Sequence, residues 1–326
     1  MNQKQDTAER AAGTQRVFLT GATGAMGQAI VRDLVGRGHE VTGVTRSAEG
    51  ASLLRALGAT PIEVDLFDAR ALTDAVRGAD AIAHFATSIP RGMAAARRGA
   101  WRTNDRLRLE GTASLLEAAR GAGVPRFIFE SISLAYPDGG EDWLDESTPL
   151  APVSPVMESA VEAEAMIRGF AQDGGEAVVL RFGRLYGPGR ASGDLIEAVQ
   201  RRRMPVIGSG ENLVSSVHVD DVGRAVGAAL EVVPGTYNVV DDAPETQRAL
   251  LEGLASALDA PLPRRLPRPL ARMMLGASVR VLTVSHRVSN RRFRQASGWA
   301  PRHPSAIEAY RSVAAAGGLV PQAAHS

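Results

Sequence analysis

Short apolar runs alternate with stretches of helical periodicity through the first half of the chain. Val17–Leu19, Glu40–Val44, Pro61–Val64, Ala79–Phe85, Phe127–Glu130 and Ala177–Arg181 read as strands. Between them, Gln28–Val35, Arg70–Val76 and Gly111–Gly121 read as helices. Strands that alternate with helices predict a doubly wound α/β fold, a parallel sheet covered on both faces. Two later β-rich pieces, Ser216–Val219 and Thr236–Val240, are expected to return to that sheet. Residues 16–186 then form the core, with returning strands near 214–241. Segments 187–213 and 242–326 are helical or broken by proline, and are expected to form a smaller lobe over the carboxyl ends of the strands, where ligands bind in such sheets. Residues 1–15 are polar with no apolar stretch, so they read as a disordered tail and not a signal peptide.

The turn after the first strand carries chemistry. Thr20-Gly21-Ala22-Thr23-Gly24-Ala25-Met26-Gly27 joins a strand to a helix, with glycines spaced G-x-x-G-x-x-G. Glycines at such a junction let the backbone approach a pyrophosphate, and the helix N-terminus offers free N–H groups and partial positive charge. A tight turn of no functional consequence has the same glycines, but the strand before and the helix after favour a dinucleotide site. Cofactor choice is read at the tip of the second strand, where an acid would bind a ribose 2′-hydroxyl and an arginine a 2′-phosphate. Val44-Thr45-Arg46-Ser47 has no acid before Glu49, which favours NADP over NAD, although Arg46 as a mere surface arginine stays open.

Composition narrows the chemistry. The 326 residues carry a formal charge of +1 and no cysteine. That excludes thiolate nucleophiles, disulfides and thiolate metal sites, and agrees with a reducing, cytoplasmic setting. No apolar run is long enough to cross a bilayer, so no membrane role is expected. Lys4 is the only lysine, and it lies in the polar tail, so the folded part cannot supply an amine for Schiff-base or lysine-assisted proton transfer. No metal site is expected.

Further segments complete a pattern: Val64-Asp65-Leu66, His84-Phe85-Ala86-Thr87, Leu180-Arg181-Phe182-Gly183-Arg184-Leu185-Tyr186-Gly187-Pro188-Gly189, Val217-His218-Val219-Asp220-Asp221, Tyr237-Asn238-Val239 and Gly298-Trp299-Ala300-Pro301. With the glycine turn, these resemble the extended short-chain dehydrogenase/reductases, the branch of nucleotide-sugar epimerases and dehydratases, over nearly the whole chain. The resemblance implies that Gly21, Thr23, Gly24, Met26, Gly27, Arg46, Asp65, Leu66, Ala86 and Phe182 bind the cofactor, Asp65 at the adenine.

In such enzymes a tyrosine, a lysine four residues on, and a serine or threonine manage the proton that carbonyl reduction requires. Aligning Pro155–Glu164 on the family pattern puts Val156 at the tyrosine and Ala160 at the lysine, while Ile132 falls at the serine/threonine. The polar groups left near the strand ends are Ser88, Ser131, Ser133, Tyr136, Arg184, Tyr186 and His218. Tyr136, then Ser133 and Ser131, are the candidates for a replacement acid, and Ser88, Arg184, Tyr186 and His218 for substrate contacts. Glu158 is placed on another helix face, toward solvent.

Three functions remain open: an atypical NAD(P)-linked reductase or epimerase on a small oxygenated substrate, a redox-neutral cyclase, dehydratase or isomerase, and a non-catalytic NADP-binding regulator. From Pro261 to His303 the chain has ten arginines and no acid, which suits an anionic ligand or an acidic partner, or simply a solvated face. Without interleaved aromatics, nucleic acid is not expected. A homodimer is compatible with the sequence.

Overall fold

The structure is a computed structural model that describes residues 13–90, 92–188, 192–276 and 278–315. The expected tail therefore lies almost wholly outside the described residues. Seven parallel strands form the main sheet: β1 (Arg16–Thr20), β2 (Glu40–Val44), β3 (Thr60–Ile62), β4 (Ala81–His84), β5 (Arg126–Ile132), β6 (Glu176–Phe182) and β7 (Gly235–Val239). Their spatial order is 7-6-5-4-1-2-3, so the chain starts in the middle of the sheet and reverses direction between β3 and β4. Ligands bind at this reversal in open α/β sheets.

Alternation along the strands builds two cores. Val17, Leu19, Val178 and Leu180 face one side with Ile30, Leu34 and Val226, and Phe18, Phe127, Phe129 and Val179 face the other with Leu115, Leu116 and Ile167. All are essentially excluded from water, and each such side chain contributes roughly 1.5–3 kcal/mol by its burial. The register, with Phe18 opposite Ile82 and Ile128 opposite Val178, is fixed because a one-residue slip would reverse the faces.

Helix α1 (Ala25–Gly36) follows β1 directly. The next long helix, 102–122, begins well before the expected Gly111, with α-helical turns at Arg102–Arg106 and Thr112–Ala122 and a π turn at Leu107–Gly111 between them. The run Arg102–Arg108 is too charged to show apolar periodicity, so its helix was not legible.

Thr236–Val240 does return to the sheet, as β7, but Ser216–Val219 does not. Ser216–His218 pairs in parallel with Arg184–Tyr186 as a separate two-stranded ribbon. The break falls at Gly183, whose N–H bonds Val239 O at 3.2 Å while the N–H of Arg184 bonds Ser215 O at 2.9 Å. β7 occupies the place beside β6, so Ser216–His218 pairs with the extension beyond the break. A third apolar cluster, Tyr186, Ile196, Val199, Leu251, Leu254 and Tyr310, holds the segments outside the sheet together.

Candidate active site

The turn after β1 is shaped by what its glycines must avoid. Gly21 has φ of +72°, and a Cβ on it would lie 2.3 Å from Phe85 O at the end of β4. A Cβ on Gly27 would lie 2.1 Å from Gly21 O, so Gly27 lets α1 seat against the turn. Gly24 differs, since its Cβ would meet only Gly21 O, at 3.2 Å. The Gly24 N–H closes the turn on Gly21 O at 3.0 Å, and Gln28 Nε2 pins it from the Thr23 carbonyl at 3.0 Å. Gly24 caps α1 with no side-chain acceptor, and the first helical turn carries no acid. Those amide groups are available to an anion.

In front of the turn lies a cavity of about 740 Å³. Gly21, Thr23, Gly24, Arg46, Asp65, Leu66, Ala86 and Ser88 all line it. Its floor is thus drawn from the ends of β1 to β4, and its wall from the helix at 102–122. Asp65 Oδ1 accepts the Phe67 N–H at 3.0 Å, which fixes the acidic turn. The Ser88 N–H donates to Asn104 Oδ1 at 3.1 Å, which ties the segment after β4 to that helix. Size, open backbone amides and an exposed arginine at the β2 tip fit a dinucleotide.

Thr103, Arg106 and Leu107 also line the cavity, and the sequence reading missed them because it began the helix too late. Arg106 lies 3.7 Å from the centre of the Phe67 ring and bonds Glu110 Oε2 at 2.8 Å. Leu107 sits in the π turn, where its carbonyl faces His84 Nε2 at 3.3 Å, while His84 Nδ1 is 2.7 Å from Thr20 Oγ1. Burial pushes the His84 pKa down to about 4, so the ring is neutral at physiological pH and joins three elements by hydrogen bonds.

Three more residues expected at the cofactor have side chains or backbone that also pack against the protein. Met26 is half-buried against the sheet core, Gly27 serves the close packing just described, and Phe182 is buried with its ring 5.9 Å from that of Phe85.

The residues expected to donate a proton are closed off. Ser131 Oγ donates to Glu164 Oε1 at 2.6 Å, and Arg181 holds both Glu164 oxygens, Nε to Oε1 at 2.9 Å and Nη2 to Oε2 at 2.7 Å. Arg181 Nη1 also donates to Tyr136 OH at 2.8 Å, and that hydroxyl donates to Asn238 Oδ1 at 2.9 Å. Tyr136 has no exposed surface, and its pKa is raised, chiefly by burial. A phenol with both bonds taken inside the protein has no face for a substrate, so the expectation that its loop opens on the cleft does not fit. Ser131 and Ser133 are likewise buried.

Beside this network, Arg108 donates to the Glu130 carboxylate at 2.9 and 3.2 Å, with both side chains buried. Burial raises the Glu130 pKa, and Arg108 opposes the shift. Val156 and Ala160 stand on the 3₁₀ turn Pro155–Met157 and the helix Glu158–Gln172, and offer only carbon. Glu158 is exposed, as its helical offset predicts.

Arg184, Tyr186, Ser216 and Tyr310 line a second cavity, of about 100 Å³, among aliphatic side chains. His218 is buried beside it, with its ring 5.2 Å from that of Tyr186 and 3.8 Å from that of His303. Burial and the neighbouring His303 lower its pKa. Its Nδ1 accepts the Asp220 N–H at 3.2 Å, capping the helix Val219–Ala229. Asp241, just past β7, is buried with both carboxyl oxygens unpartnered, and burial pushes its pKa up to about 9.

Among the described residues, no helix is long and apolar enough to cross a membrane. Residues 17–239 match the model of the NAD dependent epimerase/dehydratase family. A 3-diazoavenalumate denitrifying reductase from a Streptomyces species is 38% identical over 304 residues, covering 89% of this chain and 97% of the relative. A 4-hydroxy-2-methyl-3-oxo-4-farnesyl-3,4-dihydroquinoline-1-oxide ketoreductase from Stigmatella aurantiaca is 31% identical, covering 72% of this chain and 71% of its own. The UDP-glucose 4-epimerase of Thermus thermophilus, solved with NAD, superposes with a TM-score of 0.71 at 26% identity, covering 91% of this chain and 99% of that one. The glycine turn, the cavity at the strand reversal and these likenesses together place the chain in the NAD dependent epimerase/dehydratase family, as an NAD(P)-dependent oxidoreductase or epimerase-like enzyme.

Proposed function

We propose that this protein is an NADPH-dependent reductase of a small molecule that is already electrophilic, of the aryl diazonium or diazo-acid class, and that it removes the diazo group as dinitrogen. What supports the reading is that the folded region has no lysine, that aligning on the family pattern puts Ile132, Val156 and Ala160 at its proton-handling positions, and that the nearby Ser131 and Tyr136 are locked in a buried network. A carbonyl oxygen develops negative charge as it is reduced and needs a donor, which general acids supply at about 10²–10⁴-fold in rate. A diazonium carbon needs none, because the electron pair of the breaking C–N bond leaves with N₂. When bound, the nicotinamide supplies two electrons and one hydrogen, so that Ar–N₂⁺ and NADPH give Ar–H, N₂ and NADP⁺.

The chain's own part is to bind and to exclude water. Gly21, Thr23, Gly24 and the first turn of α1 would hold the pyrophosphate, Asp65 and Leu66 the adenine end, and Arg46 the 2′-phosphate that sets NADP above NAD. Ala86 and Ser88 border the same cavity toward β4. Ile132, Val156 and Ala160, at the positions where the family pattern has its proton-handling residues, offer no nucleophile, which suits a substrate that an amine would capture. A lysine-free, cysteine-free folded region is consistent with this, and with a reducing cytoplasmic setting.

The test is anaerobic incubation of the purified protein with NADPH and an ortho-diazophenol bearing an unsaturated carboxylic acid. The expected result is one N₂ released per NADPH oxidised, with little oxidation on simple ketones. Rapid ketone reduction without N₂ release would favour a ketoreductase like the Stigmatella relative.

A further inference from the structure

We infer that the small cavity at Arg184 is an anion pocket that takes the carboxylate of an organic acid with an otherwise apolar body. That this acid is the substrate rests on the proposed reduction; that the pocket selects a carboxylate does not. Arg184 stands on the ribbon beyond Gly183, its backbone fixed by pairing with Ser216. Its side chain is half-buried at the edge of the cavity, and Nη2 donates to Val281 O at 2.9 Å. Among the described residues no carboxylate pairs with it. The buried arginines differ in this respect, since Arg108 lies 2.9 Å from Glu130 and Arg181 2.7 Å from Glu164. A half-buried cation that lines a cavity without a counter-charge is partly desolvated and uncompensated, and a ligand that supplies the charge improves its position.

The cavity shape selects the ligand. Arg184 borders a space of about 100 Å³ whose walls include Leu185, Leu195, Met204 and Leu251. The amide of Gln247 is already committed, Oε1 accepting the Ile207 N–H at 3.2 Å and Nε2 donating to Leu282 O at 2.7 Å. One guanidinium fork matches a carboxylate in charge and in its two-oxygen geometry. A phosphate dianion would remain half-compensated, because Arg184 is the only cation among the residues that line the cavity. The apolar walls accept the carbon chain next to the carboxylate.

The experiment is calorimetric titration of the full chain, without nicotinamide, with 4-hydroxycinnamate, its methyl ester and inorganic phosphate. The acid is expected to bind at least about tenfold more tightly than the ester, and phosphate more weakly than the acid. Arg184→Met should erase the preference for the acid without lowering the Tm, since it removes a half-buried charge that no carboxylate pairs among the described residues, and Arg184→Lys should keep part of it. Equal affinity for acid and ester, or tighter binding of phosphate, would overturn the inference. So would an Arg184→Met protein that melts lower yet still prefers the acid, which would make Arg184 a structural strut for Val281. Failure of the reductase reading is separate, because it appears as absence of N₂ release while carboxylate binding persists.

Discussion

Replacing Tyr136 by phenylalanine separates a structural phenol from a catalytic one. The change deletes one oxygen that accepts from Arg181 at 2.8 Å and donates to Asn238 at 2.9 Å. It leaves a buried guanidinium N–H and a buried amide oxygen each short of a partner. Hydrogen bonds to charged groups contribute about 1.5–3 kcal/mol and neutral ones about 1 kcal/mol, so the expected loss is roughly 2–4 kcal/mol. At about 2 °C per kcal/mol for a chain of this size, the Tm falls by about 4–8 °C. A domain of ordinary stability stays folded at 25 °C after such a loss. Turnover at that temperature should match the parent protein, because nothing on Tyr136 reaches the cleft. Thermal melts and initial rates on the same preparations provide the assay. A fall of about 100-fold or more in kcat with an unchanged Tm would refute the reasoning, since that is the mark of a lost proton donor.

Arg46→Asp should reverse the preference of the cavity from NADP to NAD, read as paired calorimetric affinities; identical affinities before and after the change would remove Arg46 from the site. Gly24→Val should leave the fold intact while abolishing cofactor binding, because its Cβ meets only one protein atom within 4 Å, whereas Gly27→Ala should lower the Tm because its Cβ would lie 2.1 Å from Gly21 O. Two variants with the same cofactor affinity and the same Tm would contradict that division. Asp241 has its pKa raised from 3.8 to about 9, so the folded state holds its proton over a range where the unfolded chain has lost it. Its contribution to stability is therefore full below about pH 4 and is lost as pH rises toward 9. Asp241→Asn should melt higher than the parent at pH 8 and flatten the decline between pH 5 and 9; an unchanged pH profile would show that the carboxyl finds a partner.

The sheet was legible because β2, β4, β5 and β6 are short apolar runs bounded by turn residues, and burial on both faces leaves little else such runs can do. The ribbon at Ser216–His218 was not, because the choice of partner depends on a break at Gly183 and on β7 holding the edge beside β6, a tertiary competition with no local signal. In the cavity, Gly24, Arg46 and Asp65, expected at the cofactor, and Ser88, expected at the substrate, line one space. Thr103 and Arg106 escaped notice because the π turn and the charged run before it obscure the helix that carries them. Tyr136 misled for a different reason. A tyrosine after a strand end reads the same in sequence whether it opens on the cleft or, as here, turns into a buried Arg181–Glu164 pair.

The central claim, that the protein reduces an activated carbon without a protein acid, is tested most directly by tracing the new hydrogen. NADPH deuterated at C4 and an aryl diazo acid are incubated with the protein in ordinary water, and the product is examined by mass spectrometry and NMR. The account predicts deuterium at the carbon that lost nitrogen, in amount equal to the N₂ released and unaffected by Tyr136→Phe. Product carrying hydrogen from solvent at that carbon, or nitrogen retained as a hydrazine, would contradict it.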